Sequence, residues 1–288
     1  MPATQSSQDA ERRGYYYMKI TFLIDNISNR DDLLPEWGLA IHIEYQGTNI
    51  LLDTGSSGKF SKNARVLGID LAKVDYGVLS HAHYDHANGL DTFFDINKTA
   101  KFYLQEGSKE NCYSKHGFFK KYIGIKRGWL QKYANRFAYA SGDFKLINGV
   151  YLIPHKTPGL EAIAKKAKLY IKEGRKIISD NFSHEQSLVF DTDKGMVIFN
   201  SCSHGGADNI IREIQSTFPD KKIYALIGGF HFFTTPPSEV KALASRIKET
   251  NIEKIITGHC TGKYAYDILK EELGSQCELI YSGLEIEI

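Results

Sequence analysis

The stretch Ser80-His81-Ala82-His83-Tyr84-Asp85-His86-Ala87-Asn88-Gly89 places four potential metal ligands within six residues. An apolar-rich segment with the character of a β-strand, Val74–Leu79, precedes it, and Leu90–Phe94 continues as a predicted short helix. A strand-to-helix turn can hold several side chains around one point. Imidazole and carboxylate groups suit zinc, iron or manganese, so the stretch predicts a metal site rather than a solvated polar turn. Its candidate ligands are His81, His83, Asp85 and His86.

The composition is that of an ordinary globular protein. With 288 residues the chain can bury a sizeable core, and its 42% hydrophobic and 24% charged content is typical of such proteins. The net charge of +2 gives no global reason to expect nucleic acid or a membrane as partner, and no apolar run is long enough to span a bilayer. We therefore expect a small-molecule substrate, and the sequence leaves the oligomeric state open.

The chain is predicted to form one α/β domain over residues 18–288, because strands and helices occur in both halves with no linker between them. Residues 1–17 are polar and lack the apolar core of a secretory signal, which predicts a disordered leader. The cysteines are scattered and form no CxxC pair, a pattern typical of reduced thiols in the cytoplasm. They are Cys112, Cys202, Cys260 and Cys277.

A basic and aromatic insertion is predicted near residues 106–142. Asn111–Gly142 contains no Asp or Glu, and its lysines and arginines alternate with aromatic residues. We expect it to be partly helical rather than a segment of a sheet. It is either a solvated basic surface or a lid whose cations attract an anionic substrate, with Lys120, Lys121 and Arg127 as candidate substrate-binding residues. Such a segment also suits single-stranded nucleic acid, but one of them in a near-neutral protein does not favour that partner.

Three further histidines each follow a predicted strand and stand beside a glycine. They are His204 after Gly195–Ser201, His231 after Lys222–Ile227, and His259 after Ile252–Thr257. The carboxyl ends of strands are where α/β sheets build their sites, and glycine permits close backbone approach. The repeated pattern predicts that these histidines share one site with the cluster at His81.

Three motifs of the chain resemble those of the metallo-β-lactamase fold superfamily. The leading motif, His-x-His-x-Asp-His after a strand, is matched at residues 81–86. Asp53-Thr54-Gly55 matches the earlier strand-end aspartate, and Gly258-His259 matches the final histidine. The resemblance implies an α/β fold of αββα type, with two central mixed β-sheets flanked by helices. Further motifs around Cys202, Gly228 and Gly258 resemble a branch named after an archaeal dihydropterin–ribofuranosylaminobenzene phosphate synthase.

The resemblance also implies two divalent metal ions, of zinc, iron or manganese. One ion would be held by His81, His83 and His204. The second would be held by Asp85, His86 and His259. Asp53 would accept a hydrogen bond from a ligand histidine and orient it.

The chain departs from the superfamily after the strand Gly195–Ser201, where a bridging Asp is usual. Here Cys202 and His204 follow, and no Asp comes before Asp208. His184 is therefore kept as a reserve ligand. We expect His231 to be either a ligand or the acid that protonates a leaving group, and Asp85 to be the general base if only one ion binds. Neither Cys202 nor Cys260 is predicted to be a nucleophile.

The leading functional hypothesis is a metal-dependent hydrolase that directs a metal-activated water at a small anionic substrate, either a phosphoester or an ester or lactone. One alternative is a pterin-related or ribosyl-phosphate synthase, which the branch name suggests. A third hypothesis is a ligand sensor that keeps the metal site without hydrolase activity, which the missing bridging Asp favours.

Overall fold

The computed structural model describes residues 18–117 and 119–288, so the predicted leader at 1–17 lies outside the described residues. In chain order the strands are β1 (Met18–Ile24), β2 (Ala40–Tyr45), β3 (Thr48–Leu52), β4 (Tyr76–Val78), β5 (Phe102–Gln105), β6 (Cys112–His116), β7 (Phe119–Tyr122), β8 (Phe137–Ala140), β9 (Phe144–Ile147), β10 (Val150–Pro154), β11 (Leu169–Glu173), β12 (Lys176–Ser179), β13 (Gln186–Thr192), β14 (Gly195–Phe199), β15 (Ile223–Gly228), β16 (Lys254–Thr257), β17 (Cys277–Leu279) and β18 (Glu285–Glu287). The helices are α1 (Lys59–Val66), α2 (Tyr84–Ala87), α3 (Leu90–Ile96), α4 (Trp129–Lys132), α5 (Leu160–Ala167), α6 (Ala207–Thr217), α7 (Pro237–Lys248) and α8 (Lys263–Leu273).

Within these described ranges the strands form two seven-stranded sheets and one four-stranded sheet. The first sheet has the order β18-β1-β2-β3-β4-β5-β8, and the second has the order β17-β16-β15-β14-β13-β10-β9. Both are mixed. In the first, β1 to β3 pair antiparallel and β3, β4, β5 and β8 pair parallel. In the second, β13 and β14 pair antiparallel and β14 to β17 pair parallel.

The main core lies between the two large sheets. Phe22 and Ile41 of the first sheet share one buried cluster with Leu188, Phe199 and Ile227 of the second. Burying a side chain of this size stabilises the fold by about 1.5–3 kcal/mol. The inner strands are apolar over most of their length, as expected when both faces of a sheet are covered.

Helices cover the outer face of each large sheet. Phe60 of α1 and Phe93 of α3 pack with Phe102 of β5 on the first sheet. Ile210 of α6 and Leu243 of α7 pack with the apolar residues of the second. The order helix, sheet, sheet, helix confirms the predicted αββα architecture. Among the described residues, no helix combines the length and the hydropathy that crossing a membrane requires.

The prediction that the basic insertion is not part of a sheet was wrong. β6 and β7 form an antiparallel hairpin, and β6 pairs with β11, which pairs with β12 to complete the four-stranded sheet. The helical part is limited to α4 and one 3₁₀ turn at Ala134–Arg136. The partner strand β11 follows about fifty residues later in the chain, so local periodicity does not reveal this pairing.

Candidate metal centre

The His81–His86 stretch begins where β4 ends, and it passes into α2 at Tyr84. Asp53, at the end of β3, holds this turn in place. Its Oδ1 accepts a hydrogen bond from the Ser80 amide at 2.7 Å, and its Oδ2 accepts one from the Ser80 hydroxyl at 2.7 Å. Asp53 itself has a φ of +59°, a conformation that costs a non-glycine residue free energy and that clusters at functional sites. The Asp53 carboxylate, which the resemblance predicted to orient a ligand histidine, therefore fixes the conformation of this turn.

His81, His83 and His204 form the first trio. Their rings lie 4.6 Å, 4.8 Å and 4.9 Å apart between centroids, and all three residues are buried. The Nε2 atom of each ring has no hydrogen-bond partner in the described part of the chain. The Nδ1 atom of His81 is 2.8 Å from the Ser80 hydroxyl, and that of His204 contacts a Glu185 carboxylate oxygen. Three buried nitrogen atoms without a partner, two of them on rings held through Nδ1, fit a metal ion.

Asp85, His86 and His259 form the second trio. Asp85 Oδ2 lies 3.9 Å from His86 Nε2 and 3.6 Å from His259 Nε2. The Nδ1 atom of His86 lies 2.7 Å from Asp53 Oδ2, and the Nδ1 atom of His259 lies 3.1 Å from Asn26 Oδ1. Both oxygens can accept a hydrogen bond. A neutral imidazole that donates from Nδ1 carries its lone pair on Nε2, and the two Nε2 atoms are 3.2 Å apart. Two lone pairs and a carboxylate that converge in this way also fit a cation.

Burial and neighbouring imidazoles keep most ligand histidines in the neutral form that binds metal. They lower the pKa values of His81, His83 and His259 well below the usual value. His86 differs: burial opposes its protonation, but the Asp53 and Asp85 carboxylates outweigh this and raise its pKa to about 9. The electrostatic potential is therefore more negative at the second trio than at the first, which favours the binding of a cation.

Cys202 is the functional candidate that the sequence reasoning did not include as a ligand. Its Sγ lies 3.3 Å from His86 Nε2 and 3.4 Å from Cys260 Sγ. Sγ of Cys202 and one ring nitrogen each of His81 and His86 lie within 4.8 Å of one another, so Cys202 contacts both trios. This is where the superfamily resemblance leads one to expect an aspartate. The sequence contained a signal for this role, because Cys202 follows the same strand as the candidate ligand His204.

The two neighbouring thiols are both buried but differ in their pKa values. Burial raises the pKa of the Cys202 thiol well above the usual value. For Cys260, hydrogen bonds with Cys202 and His231 outweigh burial and lower the thiol pKa to about 6. The His231 amide donates to Cys260 Sγ at 3.1 Å, so Cys260 links Cys202 to the loop that carries His231.

His184, the reserve ligand, supports the turn instead of joining either trio. Its Nδ1 accepts a hydrogen bond from the Ala82 amide at 3.2 Å, and its Nε2 lies 3.0 Å from Asp180 Oδ2. With Cys112, Asp180 and His83 it forms a neighbouring group of potential ligands. Because both ring nitrogens already have partners, this geometry favours a role in positioning Ala82 and the histidines on either side.

His231 lies beside the first trio, with its ring centroid 4.7 Å from that of His204. It is half-buried, has a φ of +51°, and its buried Nδ1 has no hydrogen-bond partner among the described residues. A strained backbone and an unpartnered ring nitrogen beside the ligands are compatible with both predicted roles, ligand and acid.

The basic hairpin contacts the ligand turn directly. The Tyr84 amide donates to the Ile123 carbonyl at 2.8 Å, and His83 forms a β-bridge with Gly124. Lys121 is exposed on β7, and its Nζ lies 5.9 Å from the centre of the Tyr84 ring.

The three predicted substrate-binding cations therefore differ in position. Lys120 is exposed on the same strand as Lys121. Arg127 instead stacks on Tyr122 at 4.6 Å and donates to the Tyr113 hydroxyl at 2.9 Å, within the insertion. Only Lys121 is placed by a described contact next to the ligand turn.

A buried charge network supports His204 from behind. The Glu185 carboxylate that contacts His204 also lies 3.0 Å from His155 Nε2, and His155 Nδ1 lies 3.2 Å from Glu213. Burial disfavours a charged His155, but the two carboxylates outweigh it and raise its pKa to about 10. His155 therefore has a structural role and acts through Glu185 on a candidate ligand.

Comparisons with known proteins agree with this geometry. Residues 38–167 match the family model of the metallo-beta-lactamase superfamily. The chain is 26% identical over 265 residues to a protein of Methanocaldococcus jannaschii named 7,8-dihydropterin-6-methyl-4-(beta-D-ribofuranosyl)-aminobenzene-5'-phosphate synthase, a match that covers 86% of this chain and 90% of that protein.

Solved structures show the same fold. A metal-dependent hydrolase of the beta-lactamase superfamily matches with 28% identity and a TM-score of 0.80, over 94% of this chain and 99% of that one. The metallo-beta-lactamase fold protein YhfI from Bacillus subtilis matches with 14% identity and a TM-score of 0.56, over 94% of this chain and 100% of its own, which is a likeness of fold alone. The family match over residues 38–167, the fold and the buried histidine trios agree in likening the chain to the metallo-β-lactamase superfamily.

Proposed function

We propose that the protein is a metal-dependent hydrolase that attacks a small anionic ester, either a phosphoester or a carboxylic ester or lactone. The observation that carries the proposal is the first trio, whose three buried Nε2 atoms converge without a hydrogen-bond partner among the described residues. The likeness to a metal-dependent hydrolase at 28% identity supports it.

In this proposal the two trios would hold two divalent ions, and Cys202, which lies near His81 and His86, would be a ligand where the resemblance leads one to expect an aspartate. Thiolate and imidazole ligands together favour zinc, although imidazole and carboxylate also accept iron and manganese. Bound ions would lower the pKa of a coordinated water to about 7 and would polarise the oxygen under attack.

The protein side chains divide the remaining tasks. Asp53 and Glu185 orient the rings of His86 and His204 through Nδ1. His231 presents a buried Nδ1 beside the first trio, where it can give a proton to the leaving group. Lys121, beside Tyr84, attracts the anionic group.

Asp85 fits the role of ligand better than that of general base. Its Oδ2 already accepts a hydrogen bond from the Trp37 indole at 2.9 Å and lies within 4 Å of two ring nitrogens. A general base needs a free lone pair directed at a water, whereas a metal-ligating carboxylate is commonly hydrogen-bonded in this way.

The test combines metal analysis with activity. The purified protein is assayed for bound zinc, iron and manganese, and then for hydrolysis of a generic phosphodiester, a lactone and a thioester. We expect bound metal and turnover of at least one substrate, which a chelator abolishes. Protein that is loaded with metal but inert on all three would contradict the hydrolase proposal and would favour the sensor hypothesis.

A second candidate function follows from the relative in Methanocaldococcus jannaschii, whose name is that of a pterin-related phosphate synthase. The similarity extends over most of both chains. This candidate would be favoured if the protein hydrolysed none of the three test substrates but condensed a reduced pterin with a ribosyl-aminobenzene phosphate.

A further inference from the structure

Two large aromatic side chains remain exposed at the rim of the candidate metal centre. Trp37, in the loop before β2, is 41% exposed, and Phe233, in the loop after β15, is 48% exposed. Their ring centroids lie 5.5 Å apart and their planes meet at 82°. They therefore form an open corner of nearly a right angle. Adjoining exposed apolar side chains beside polar groups are typical of ligand-binding grooves, whereas single ones are common on any surface.

The Trp37–Phe233 corner contacts the second trio directly and reaches the first trio through His231. The Trp37 ring lies 5.2 Å from that of His259, and its indole donates to Asp85. The Phe233 ring lies 5.1 Å from that of His231, which itself contacts the first trio. A group that rests against this corner therefore lies directly beside the reacting centre.

Backbone contacts hold both rings in position. The Ser56 hydroxyl donates to the Trp37 carbonyl, and a Cβ on Gly38 would come within 2.6 Å of the Asp85 carbonyl, so the loop approaches the ligand turn closely. The Phe233 amide donates to the Cys260 carbonyl at 3.2 Å. Rings fixed before binding lose little conformational freedom when a ligand arrives.

We infer that Trp37 and Phe233 form a subsite for a planar aromatic ring of the substrate, so that the substrate class is an anionic ester that carries an aryl or heteroaryl group. The inference rests on the proposed function. Two rings at a right angle accept a third ring well, because it can stack on one and meet the other edge-on. Lys121 lies near Tyr84, which adjoins Asp85 in the chain, and supplies the charge that the anionic group needs.

The binding test uses the natural fluorophore of the corner. The chain contains two tryptophans, and Trp129, the other one, is only 6% exposed. In a Trp129→Phe variant loaded with metal, Trp37 alone reports binding. Phenylphosphonate and methylphosphonate carry the same charge, and their carbon–phosphorus bonds do not undergo ester hydrolysis. We expect saturable quenching by phenylphosphonate and an affinity about five-fold higher than that of methylphosphonate.

A matched pair of substitutions tests which ring is responsible. Phe233→Leu should reduce the phenyl-to-methyl affinity ratio about two-fold, because one of the two aromatic partners is lost while Trp37 keeps its contact with Asp85 and still faces the phenyl ring. Tyr139→Leu removes an aromatic ring of similar exposure, 49%, from the edge strand β8 and should leave the ratio unchanged. Equal affinities for the two phosphonates in the Trp129→Phe variant, or a ratio that Phe233→Leu does not alter, would overturn the inference.

The outcomes separate this inference from the proposed function. If phenylphosphonate binds at Trp37 with the expected preference but no ester is hydrolysed, the subsite stands and the hydrolase proposal fails. If aryl and alkyl esters are hydrolysed with equal kcat/KM and the two phosphonates bind equally, the hydrolase proposal stands and the aromatic subsite fails.

Discussion

The two trios of the candidate metal centre differ in chemistry and in support. The first consists of three imidazoles, and its distal member His204 is held by Glu185, which in turn contacts a buried, protonated His155. The second combines imidazoles with the Asp85 carboxylate and is supported by Asp53. His204 of the first trio thus depends on a buried network beside the second sheet, whereas the second trio depends on Asp53 at the strand end next to the ligand turn. The two positions should therefore respond to different substitutions.

The largest expected effect comes from the ligands themselves. His81→Ala should remove the ion of the first trio and His86→Ala that of the second, with hydrolysis lost in both, because a trio that loses an imidazole no longer encloses a cation. Metal content per chain and circular dichroism measure the effect and the retention of the fold. His42→Ala, which changes a buried histidine of β2, should keep full metal content. Unchanged stoichiometry in both ligand variants would refute the metal centre.

Substitution of Cys202 should show whether this thiol is the ligand that the two trios share. A cobalt-substituted protein is expected to show thiolate-to-cobalt charge-transfer absorption in the near ultraviolet, and Cys202→Ser should remove it. Cys277→Ser, which changes a buried thiol of β17, should leave the band intact. A band that survives in Cys202→Ser would exclude this thiol as a ligand.

The supporting carboxylates should show which trio each one serves. Glu185→Gln is expected to weaken the first position by about 10–100-fold in metal affinity. Asp53→Asn is expected to weaken the second position by a similar factor and the first by less, because Asp53 reaches His81 only through Ser80. Titration against a competing chelator, with the two ions resolved, measures both constants. If either substitution weakened both positions equally, the division of support between the trios would be wrong.

The buried His155 network predicts a dependence of stability on pH. The His155 pKa is about 10 in the fold and about 6.5 in an unfolded chain, so its contribution is fully present below pH 6.5. As the pH rises from 6.5 through 10, the fold keeps a proton that the unfolded chain releases, and the free energy of unfolding decreases. Urea unfolding of metal-saturated protein from pH 7 to 10 should show a steeper decrease in the wild type than in His155→Gln. Parallel curves would contradict a charged His155.

The smallest effect is expected on the surface. Lys121→Gln should raise KM for an anionic substrate by a few-fold and reduce its dependence on ionic strength, since an exposed cation attracts an anion weakly through water. Lys172→Gln on β11 removes an exposed charge at a position without a described contact to the ligand turn and serves as the control. If Lys121→Gln and Lys172→Gln changed KM equally, the basic hairpin would be only a solvated surface.

The parts of the molecule that the sequence predicted well are those encoded locally. His81 to His86 lie within one turn, so their shared position followed from spacing alone, and the family resemblance and the αββα fold are confirmed. The structure also brings His204 and His259 to that turn. Their binding of metal stays a prediction.

The missed features depend on contacts between distant segments. Cys202 meets His86 across 116 positions of the chain, and the link from His155 to Glu185 and Glu213 joins three separate elements. The four-stranded sheet was missed for the same reason, because β6 pairs with β11, which comes much later in the chain. Spacing in the sequence reports neighbours along the chain, and these contacts are neighbours only in space.

The position of His259 has a consequence for when the second trio can form during synthesis. His259 comes just after β16, and its amide is held by Asp25, which follows β1 and lies 234 positions earlier in the chain. The second trio therefore cannot assemble on a nascent chain until the segment that carries His259 has left the ribosome. A chain truncated before β16 would lack this position altogether.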